Sequence, residues 1–256
     1  MILAVLQARV SSTRLPGKVL REILGAPMIL RQINRVQRAR SIGRLLLATS
    51  TDPVDDPLAL LCMQNDVACF RGSLDDVLDR FYQAARPHLP EHVVRLTGDC
   101  PLADPALIDH VVGTHVAGGF DYTSNTIPPT YPDGLDIEVI RSTCLEEAWR
   151  EAELPSEREH VTPFLYGRPE RYRIGAVRNA MDLSALRWTV DEPDDFVLVR
   201  TIYEALYPGN PAFTTEDILA LLERTPALKT WNVRHARNEG YEKSLKEDGT
   251  FNSGKG

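Results

Sequence analysis

The chain has 256 residues, a length that suits one α/β domain or one domain with a sizeable insertion. Hydrophobic residues make up 43% of it and charged residues 25%, the ordinary balance of a globular protein. Its formal net charge of −7 argues against a nucleic-acid backbone as the main partner, since such proteins usually present a basic face. A small anionic ligand remains possible, because it needs only a local basic loop.

Four short apolar runs in the first half predict buried strands, at residues 2–6, 45–48, 67–70 and 92–96. Helical spacing of apolar residues follows each of them, in helices that start at Pro27, near Leu58, at Leu74 and at Pro105. Asp104 has the position of an N-cap, and Pro105 that of the first helical residue. This alternation predicts a mainly parallel sheet with helices on both faces.

The second half has a looser pattern, and residues of about 120–180 read as an excursion from the sheet. Within and after it we predict strands at 137–140, 172–177 and 186–190, and helices at 143–153, 157–166, 194–207 and 215–222. The strand at 186–190 is expected to return to the main sheet. Residues 1–238 are thus predicted to form one domain, followed by a polar, disordered tail at 239–256.

The spacing of the cysteines and the length of the first apolar run both indicate where in the cell the protein is found. The four cysteines are Cys62, Cys69, Cys100 and Cys144. None forms a C-x-x-C pair, so we predict free thiols in a reducing compartment. The run at 2–6 is too short for a signal-peptide core, and no stretch approaches the roughly 18 apolar residues of a membrane span. A cytoplasmic protein is expected.

The carboxyl ends of the four strands in the first half predict where a ligand binds. The loops at 8–18, 49–56, 71–76 and 97–101 follow these strands and are polar and marked by glycine or proline. The first loop is the most distinctive, because residues 9–18 hold three cations, three hydroxyls and a glycine. Such a loop suits a triphosphate, although a solvated basic loop is the plain alternative. It is not a Walker A loop, since Ser12 stands at the first glycine position.

Residues 9–18, with the pattern R-x-x-S-x-R-L-P-G-K, resemble the signature loop of sugar nucleotidyltransferases. The resemblance is to the cytidylyltransferase branch, with its 3-deoxy-manno-octulosonate and acylneuraminate enzymes, and within it to the SpsF (spore coat polysaccharide biosynthesis) family. Further matching stretches, in the expected order, are residues 71–80, 97–104, 132–138, 157–163 and 187–191. The resemblance implies a Rossmann-like, three-layer αβα sandwich whose sheet is mixed and mainly parallel.

The same resemblance implies a function and its site residues. The enzyme would transfer CMP from CTP to an acidic sugar or related hydroxyl acceptor, with Arg14 and Lys18 as catalytic residues. The residues implied to bind the nucleotide are Ala8, Arg9, Ser12, Arg14, Gly17, Lys18, Arg71 and Gly72. Asp99 and Asp191 would hold Mg²⁺, a role that hard oxygen ligands suit.

Several of these assignments have alternatives. Asp99 could be a turn residue and Asp191 a local cap, and the second metal ligand could be Glu192, Asp194 or Asp195. Arg158, His160 and Arg173 could meet an acidic acceptor, although a structural role for His160 is favoured. Trp188 is expected in the core. The excursion is expected to form a homodimer contact.

Two other functions compete with the cytidylyltransferase. A nucleotide-sugar glycosyltransferase of polysaccharide assembly would share the sheet, but the chain has no D-x-D motif. A silent nucleotide-binding regulator would be favoured if Lys18 or Asp99 were replaced, and neither is. No motif for nucleic acid or membrane binding is found.

Overall fold

The computed structural model describes residues 1–235, 237 and 239–253. Its strands are β1 Ile2–Gln7, β2 Glu22–Ile23, β3 Ala26–Pro27, β4 Arg44–Ser50, β5 Cys69–Gly72, β6 His92–Thr97, β7 Tyr122–Ser124, β8 Glu138–Arg141 and β9 Ile174–Ala176. Its helices are α1 Met28–Val36, α2 Asp56–Gln64, α3 Val77–Ala85, α4 Pro105–Gly118, α5 Ser142–Glu151, α6 Pro155–His160, α7 Pro163–Tyr166, α8 Pro193–Leu206, α9 Thr215–Arg224 and α10 Glu239–Ser253. No helix in the described part of the chain is long and apolar enough to cross a membrane.

Seven strands form one mixed sheet in the order β5-β4-β1-β6-β8-β7-β9. The four strands predicted from the first half are β1, β4, β5 and β6, and they pair in parallel. Strand β8 then runs antiparallel to both β6 and β7, while β9 is parallel to β7. The predicted mixed, mainly parallel sheet is confirmed, and the loops after β1, β4, β5 and β6 lie at one edge of it.

The sheet lies between two apolar layers, as the unbroken apolar run of β1 requires. Ala4 and Leu6 face one layer, which holds apolar residues of α1, α2, α4 and α8. Leu3 and Val5 face the other layer, formed by α3, α5 and α7. All four side chains are fully buried, so neither face of β1 meets solvent. This is the expected three-layer sandwich.

The segment 186–190 does not form the predicted strand of the main sheet. It is extended, but it makes only an isolated bridge between Asp133 and Arg187. The backbone N–H of Trp188 donates to the carbonyl of Asp133 (2.6 Å), and that of Val190 donates to the carbonyl of Asp99 (2.7 Å). These partners lie in loops, so the segment crosses the carboxyl edge of the sheet. Trp188 is 1% exposed and lies in the core, as predicted.

The excursion is more closely built into the fold than its composition suggests. Strands β7, β8 and β9 extend the main sheet, and Ile137 and Ile140 are almost fully buried within this chain. The helix predicted at 157–166 is broken into α6 and α7, because Val161 has a φ of 70° and Pro163 follows it. Burial of the apolar residues near 137–140 therefore does not require a partner subunit.

The prediction of a disordered tail is wrong for residues 239–253, which form α10. This helix packs against α6, where Ser156 donates from its hydroxyl to Asp248 (2.6 Å) and from its backbone N–H to the same carboxylate (2.9 Å). Ser244 joins the contact through His160 (3.0 Å). The helix is held by polar partners from another part of the chain, which a polar composition cannot reveal. Residues 254–256 lie outside the described residues.

Gly134 lies where the excursion meets the segment 186–190. Its φ is 103°, and a Cβ atom there would lie 2.3 Å from the backbone nitrogen of Thr189. We predict that Gly134→Ala lowers the free energy of unfolding by about 3 kcal/mol or more, through backbone strain and this clash. The matched control is Gly113→Ala, in open space within α4, which should instead stabilise by about 0.5–1 kcal/mol. Urea unfolding measures both, and equal effects would contradict the prediction.

Candidate active site

The loop that follows β1 is shaped by its own backbone and by the neighbouring loop. The N–H of Ala8 donates to the carbonyl of Ala48 (3.1 Å), and that of Val10 donates to the carboxylate of Asp55 (2.6 Å). Gly17 has a φ of 69°, a left-handed conformation that glycine adopts without strain, and its N–H closes the loop onto Val10 (3.0 Å). Lys18 then begins a short 3₁₀ turn, which directs its side chain into the protein.

The Lys18 ammonium lies between the two carboxylates predicted to bind metal. Its Nζ is 2.9 Å from Oδ1 of Asp191 and 3.7 Å from Oδ2 of Asp99, and it also donates to the carbonyl of Val190 (2.8 Å). Only 10% of the lysine side chain is exposed. The structure therefore joins Lys18, Asp99 and Asp191 into one cluster at the carboxyl edge of the sheet.

Asp99 is held as a carboxylate. Burial by itself would raise its pKa, but the nearby Lys18 ammonium and the hydroxyl of Thr97 (2.5 Å) outweigh burial, so the pKa of Asp99 is lowered. Its backbone carbonyl accepts from the N–H of Val190. Asp99 is thus an ionised group with one oxygen toward Lys18, which is more than a turn residue requires.

Asp191 is distinguished from its acidic neighbours by its contacts. Its Oδ1 is 2.9 Å from Nη2 of Arg14, in addition to Lys18. Asp195 is fully buried and accepts from Arg187, from Asn232 and from the backbone N–H groups of the two residues before α8, so it is a structural cap. Asp194 pairs with Arg234 on the surface, and Glu192 is the N-cap of α8. Of these candidates, the structure brings Asp191 next to Asp99.

A cavity of about 750 Å³ opens above this cluster. Five of the residues predicted to bind the nucleotide line it: Ala8, Arg9, Ser12, Arg14 and Lys18. Thr97, Gly98 and Asp99 also line it, and α10 contributes Lys243 and Ser244. Arg9 is exposed, and among the described residues its side chain makes no hydrogen bond or ion pair. This cation is available to an anionic ligand.

Arg71 and Gly72 lie outside that lining. The Arg71 guanidinium donates to the backbone carbonyls of Ser50 (2.9 Å) and Asp52 (3.0 Å) and pairs with Asp56 (2.7 Å), which ties β5 to the loop after β4. A Cβ at position 72 would lie 2.9 Å from the ring of Phe70, so Gly72 has a packing role. These contacts give both residues a structural role. Their role in nucleotide binding stays a prediction.

The cluster fits a magnesium ion by the chemistry of its donors. Asp99 and Asp191 offer hard carboxylate oxygens from two loops, and a cationic Nζ already lies between them. Within the described residues no group of three or more histidine, cysteine, aspartate or glutamate side chains is gathered for a metal. Magnesium does not need one, since it is usually bound by one or two carboxylates together with water and substrate phosphates.

Two supporting residues were not predicted. Asp55 is fully buried and accepts from Val10 and from the hydroxyl of Ser50 (2.5 Å), so it sets the first loop against the second. Arg187 binds Asp133 (3.0 Å) and Asp191 (3.3 Å) and so orients the latter. The sequence did point to Arg187, because this residue is the first of the stretch 187–191 that resembles the family. For Asp55, the sequence showed only that the residue lies in a polar loop.

Solved structures place the fold among the α/β nucleotidyltransferases. A cytidylyltransferase from Leptospira borgpetersenii superposes with a TM-score of 0.84 and is 27% identical, covering 89% of this chain and 96% of its own. A CMP:2-keto-3-deoxy-manno-octonic acid synthetase, solved with CTP, shares the fold with a TM-score of 0.61 at 18% identity, covering 80% of this chain and 98% of its own. The expected Rossmann-like sandwich is confirmed.

The chain belongs to the cytidylyltransferase family, whose model matches residues 3–223. It is 32% identical to the spore coat polysaccharide biosynthesis protein SpsF of Bacillus subtilis, over 90% of this chain and 97% of that protein. A 3-deoxy-manno-octulosonate cytidylyltransferase of Anaeromyxobacter dehalogenans is 35% identical over 46% of this chain and 48% of its own length. The resemblance to the SpsF family is therefore confirmed, and the protein is a nucleotidyltransferase that uses CTP.

Proposed function

We propose that this enzyme transfers CMP from CTP, with Mg²⁺, to a hydroxyl of an acidic sugar or a related hydroxyl acceptor and releases pyrophosphate. The observation that carries the proposal is the cluster of Lys18, Asp99 and Asp191 in a cavity lined by the first loop. A glycan precursor is the expected product, as the similarity to SpsF suggests.

The residues divide the chemistry between them. The acceptor oxygen bonds to the α-phosphorus as the bond from that phosphorus to pyrophosphate breaks, and the hydroxyl proton is released. Arg9, Arg14 and Lys18 stabilise the charge that gathers on the phosphates, and Gly17 gives the loop its turn. A magnesium ion held by Asp99 and Asp191 would neutralise further phosphate charge.

The glycosyltransferase alternative has less support. It would consume a finished nucleotide sugar, whereas the chain belongs to a family that uses a nucleoside triphosphate. We also propose a cytoplasmic location, where the four free cysteines would stay reduced. We also propose that the enzyme forms a homodimer. The apolar residues from Ile137 to Ile140 do not support this proposal, because they are already buried within one chain.

Nucleotide binding tests the proposal directly. We expect CTP with Mg²⁺ to raise the thermal midpoint more than UTP, ATP or GTP at equal concentration, since a ligand at 100 times its Kd stabilises by about 2.7 kcal/mol. Differential scanning fluorimetry measures the shifts, with an Arg9→Ala variant and EDTA as controls that should reduce them. A larger shift with UTP or GTP would overturn the choice of base but leave the fold unaffected.

A further inference from the structure

The turn that follows β6 holds the backbone of Asp99 from two sides. The N–H of Gly98 donates to the carbonyl of Gln7 (2.8 Å), and a Cβ atom at Gly98 would lie 2.7 Å from the Cβ of Ala8. The turn is therefore in close contact with the end of β1. On its other side, the carbonyl of Asp99 accepts from the N–H of Val190 (2.7 Å). These contacts fix the position from which the Asp99 side chain extends.

The carboxylate of Asp99 makes its hydrogen bonds through one oxygen, Oδ1. The hydroxyl of Thr97 donates to Oδ1 (2.5 Å), and the thiol of Cys100 donates to the same oxygen from 3.3 Å. Oγ1 of Thr97 and Sγ of Cys100 also lie 3.3 Å apart. Because a hydroxyl has one proton and the Thr97 proton goes to Oδ1, the thiol proton is shared between Oγ1 and Oδ1. Two donors of the same turn therefore converge on Oδ1.

The other carboxylate oxygen of Asp99, Oδ2, is left on the side of the Lys18 cluster. It lies 3.7 Å from Nζ of Lys18, and in the described part of the chain no other residue donates a hydrogen bond to it. The Asp99 side chain is 28% exposed and lines the 750 Å³ cavity, so a ligand has access to it. Rotation of the carboxylate would exchange its two oxygens, and the bonds to Oδ1 oppose that rotation.

We propose that Thr97 and Cys100 are positioning residues, which hold Oδ1 of Asp99 so that Oδ2 is the oxygen available to the magnesium ion. The inference rests on the proposed function, in which Asp99 binds Mg²⁺, and it gives the buried thiol of Cys100 a task beyond packing. Magnesium demands nearly ideal octahedral geometry, so an oxygen that is already held in place binds it better than one that rotates. Neither Thr97 nor Cys100 itself touches the metal or the reacting atoms.

Metal binding without turnover tests the inference. Mn²⁺ takes the same oxygen ligands as Mg²⁺, and its electron paramagnetic resonance signal measures the free ion. The full-length protein is titrated with Mn²⁺, with and without CTP, and the Mn²⁺ bound by CTP alone is subtracted. Thr97→Val keeps the size of the side chain and removes the donor, so we expect it to raise the dissociation constant about tenfold or more. Thr97→Ser keeps the hydroxyl and should restore the wild-type affinity.

Substitution of Cys100 gives a second, independent measurement. Cys100→Ala should weaken Mn²⁺ binding less than Thr97→Val does, because a thiol is a weak donor. Cys100→Ser keeps a donor at this position and should retain the affinity. If Thr97→Val does not fold, Cys100→Ala decides the matter, and an unchanged dissociation constant in that variant overturns the inference.

Kinetics distinguish a positioning role from direct contact with the nucleotide. In Thr97→Val, the Mg²⁺ concentration for half-maximal pyrophosphate release should rise by the same factor as the Mn²⁺ dissociation constant, while the KM of CTP at saturating Mg²⁺ stays unchanged. A raised KM of CTP with unchanged metal affinity would make Thr97 a nucleotide contact and overturn the inference. Thr49→Val is the matched control and should change none of these quantities. Thr49 is fully buried on β4, and its hydroxyl has no hydrogen-bond partner among the described residues.

Asp99→Asn separates the failure of this inference from that of the proposed function. If Asp99→Asn binds Mn²⁺ as the wild type does, or if the wild type binds none beyond that held by CTP, the metal part of the proposed function falls together with the inference. If Asp99→Asn abolishes Mn²⁺ binding and a folded Thr97→Val binds it normally, the proposed function stands and the inference alone is wrong.

Discussion

Replacing Asp99 by asparagine is expected to lower turnover by about a thousandfold, because under the proposed function it removes an anion at the place where metal and phosphate charge are balanced. The side chain keeps its size, and Lys18 keeps its shorter contact with Asp191 (2.9 Å). The thermal midpoint should therefore change by no more than about 4 °C, equivalent to about 1 kcal/mol in a domain of this size. Steady-state pyrophosphate release and differential scanning fluorimetry measure the two effects.

Asp104→Asn is the matched control, five residues along the same loop. Asp104 caps α4 through the N–H groups of Ala106 and Leu107, and it also accepts from Thr215 at the start of α9. This variant should lose stability while the folded fraction keeps its turnover. If Asp99→Asn releases pyrophosphate at the normal rate, the metal assignment is wrong. If it unfolds instead, Asp99 has a structural role.

The pH dependence of the Asp99 contribution has a definite sign. Lys18 and Thr97 lower its folded-state pKa, although burial opposes them, so the ionised form is favoured by folding. Its contribution to stability is present above the unfolded-state pKa of about 3.9 and is lost as the pH falls through the lower folded-state value. Wild type and Asp99→Asn should therefore converge in stability in acid and differ most at neutral pH.

Lys18→Ala should reduce both stability and activity. The ammonium is almost buried, and its removal leaves Asp99 without its neighbouring cation, while Asp191 keeps Arg14 and Arg187; the free energy of unfolding should therefore fall by about 3 kcal/mol. The loop also loses its bond to the carbonyl of Val190. We expect a higher KM for CTP together with a lower kcat. Added Mg²⁺ should restore part of the lost thermal midpoint, because a cation again stands between Asp99 and Asp191.

Arg9→Ala provides the contrast in the same loop. Arg9 is exposed and takes no part in the Lys18 cluster, so its removal should weaken CTP binding and leave the thermal midpoint of the free protein unchanged. Chemical denaturation and CTP titration of both variants distinguish the two cases. If Lys18→Ala matched Arg9→Ala in stability, the lysine would not neutralise the carboxylates.

Much of the candidate site follows from the order of elements along the chain. Parallel strands bring their carboxyl ends to one edge, so the loops at 8–18 and 97–101 had to lie near each other once β1 and β6 were recognised. Asp104 and Pro105 began a helix where their capping chemistry predicted it. The predicted nucleotide-binding role of Arg71 did not anticipate that its guanidinium donates to backbone carbonyls of the neighbouring loop.

By itself, then, the sequence determined the alternation of buried strands and amphipathic helices, the edge where the loops gather and the basic loop, because periodicity and turn chemistry act over a few residues. Only the tertiary structure decided that Lys18 meets Asp191, 173 residues away, rather than Asp194 or Asp195. It also decided that segment 186–190 crosses the sheet edge and that α10 folds onto α6. Such contacts depend on packing and ion pairing between distant segments, and local sequence preferences do not specify them.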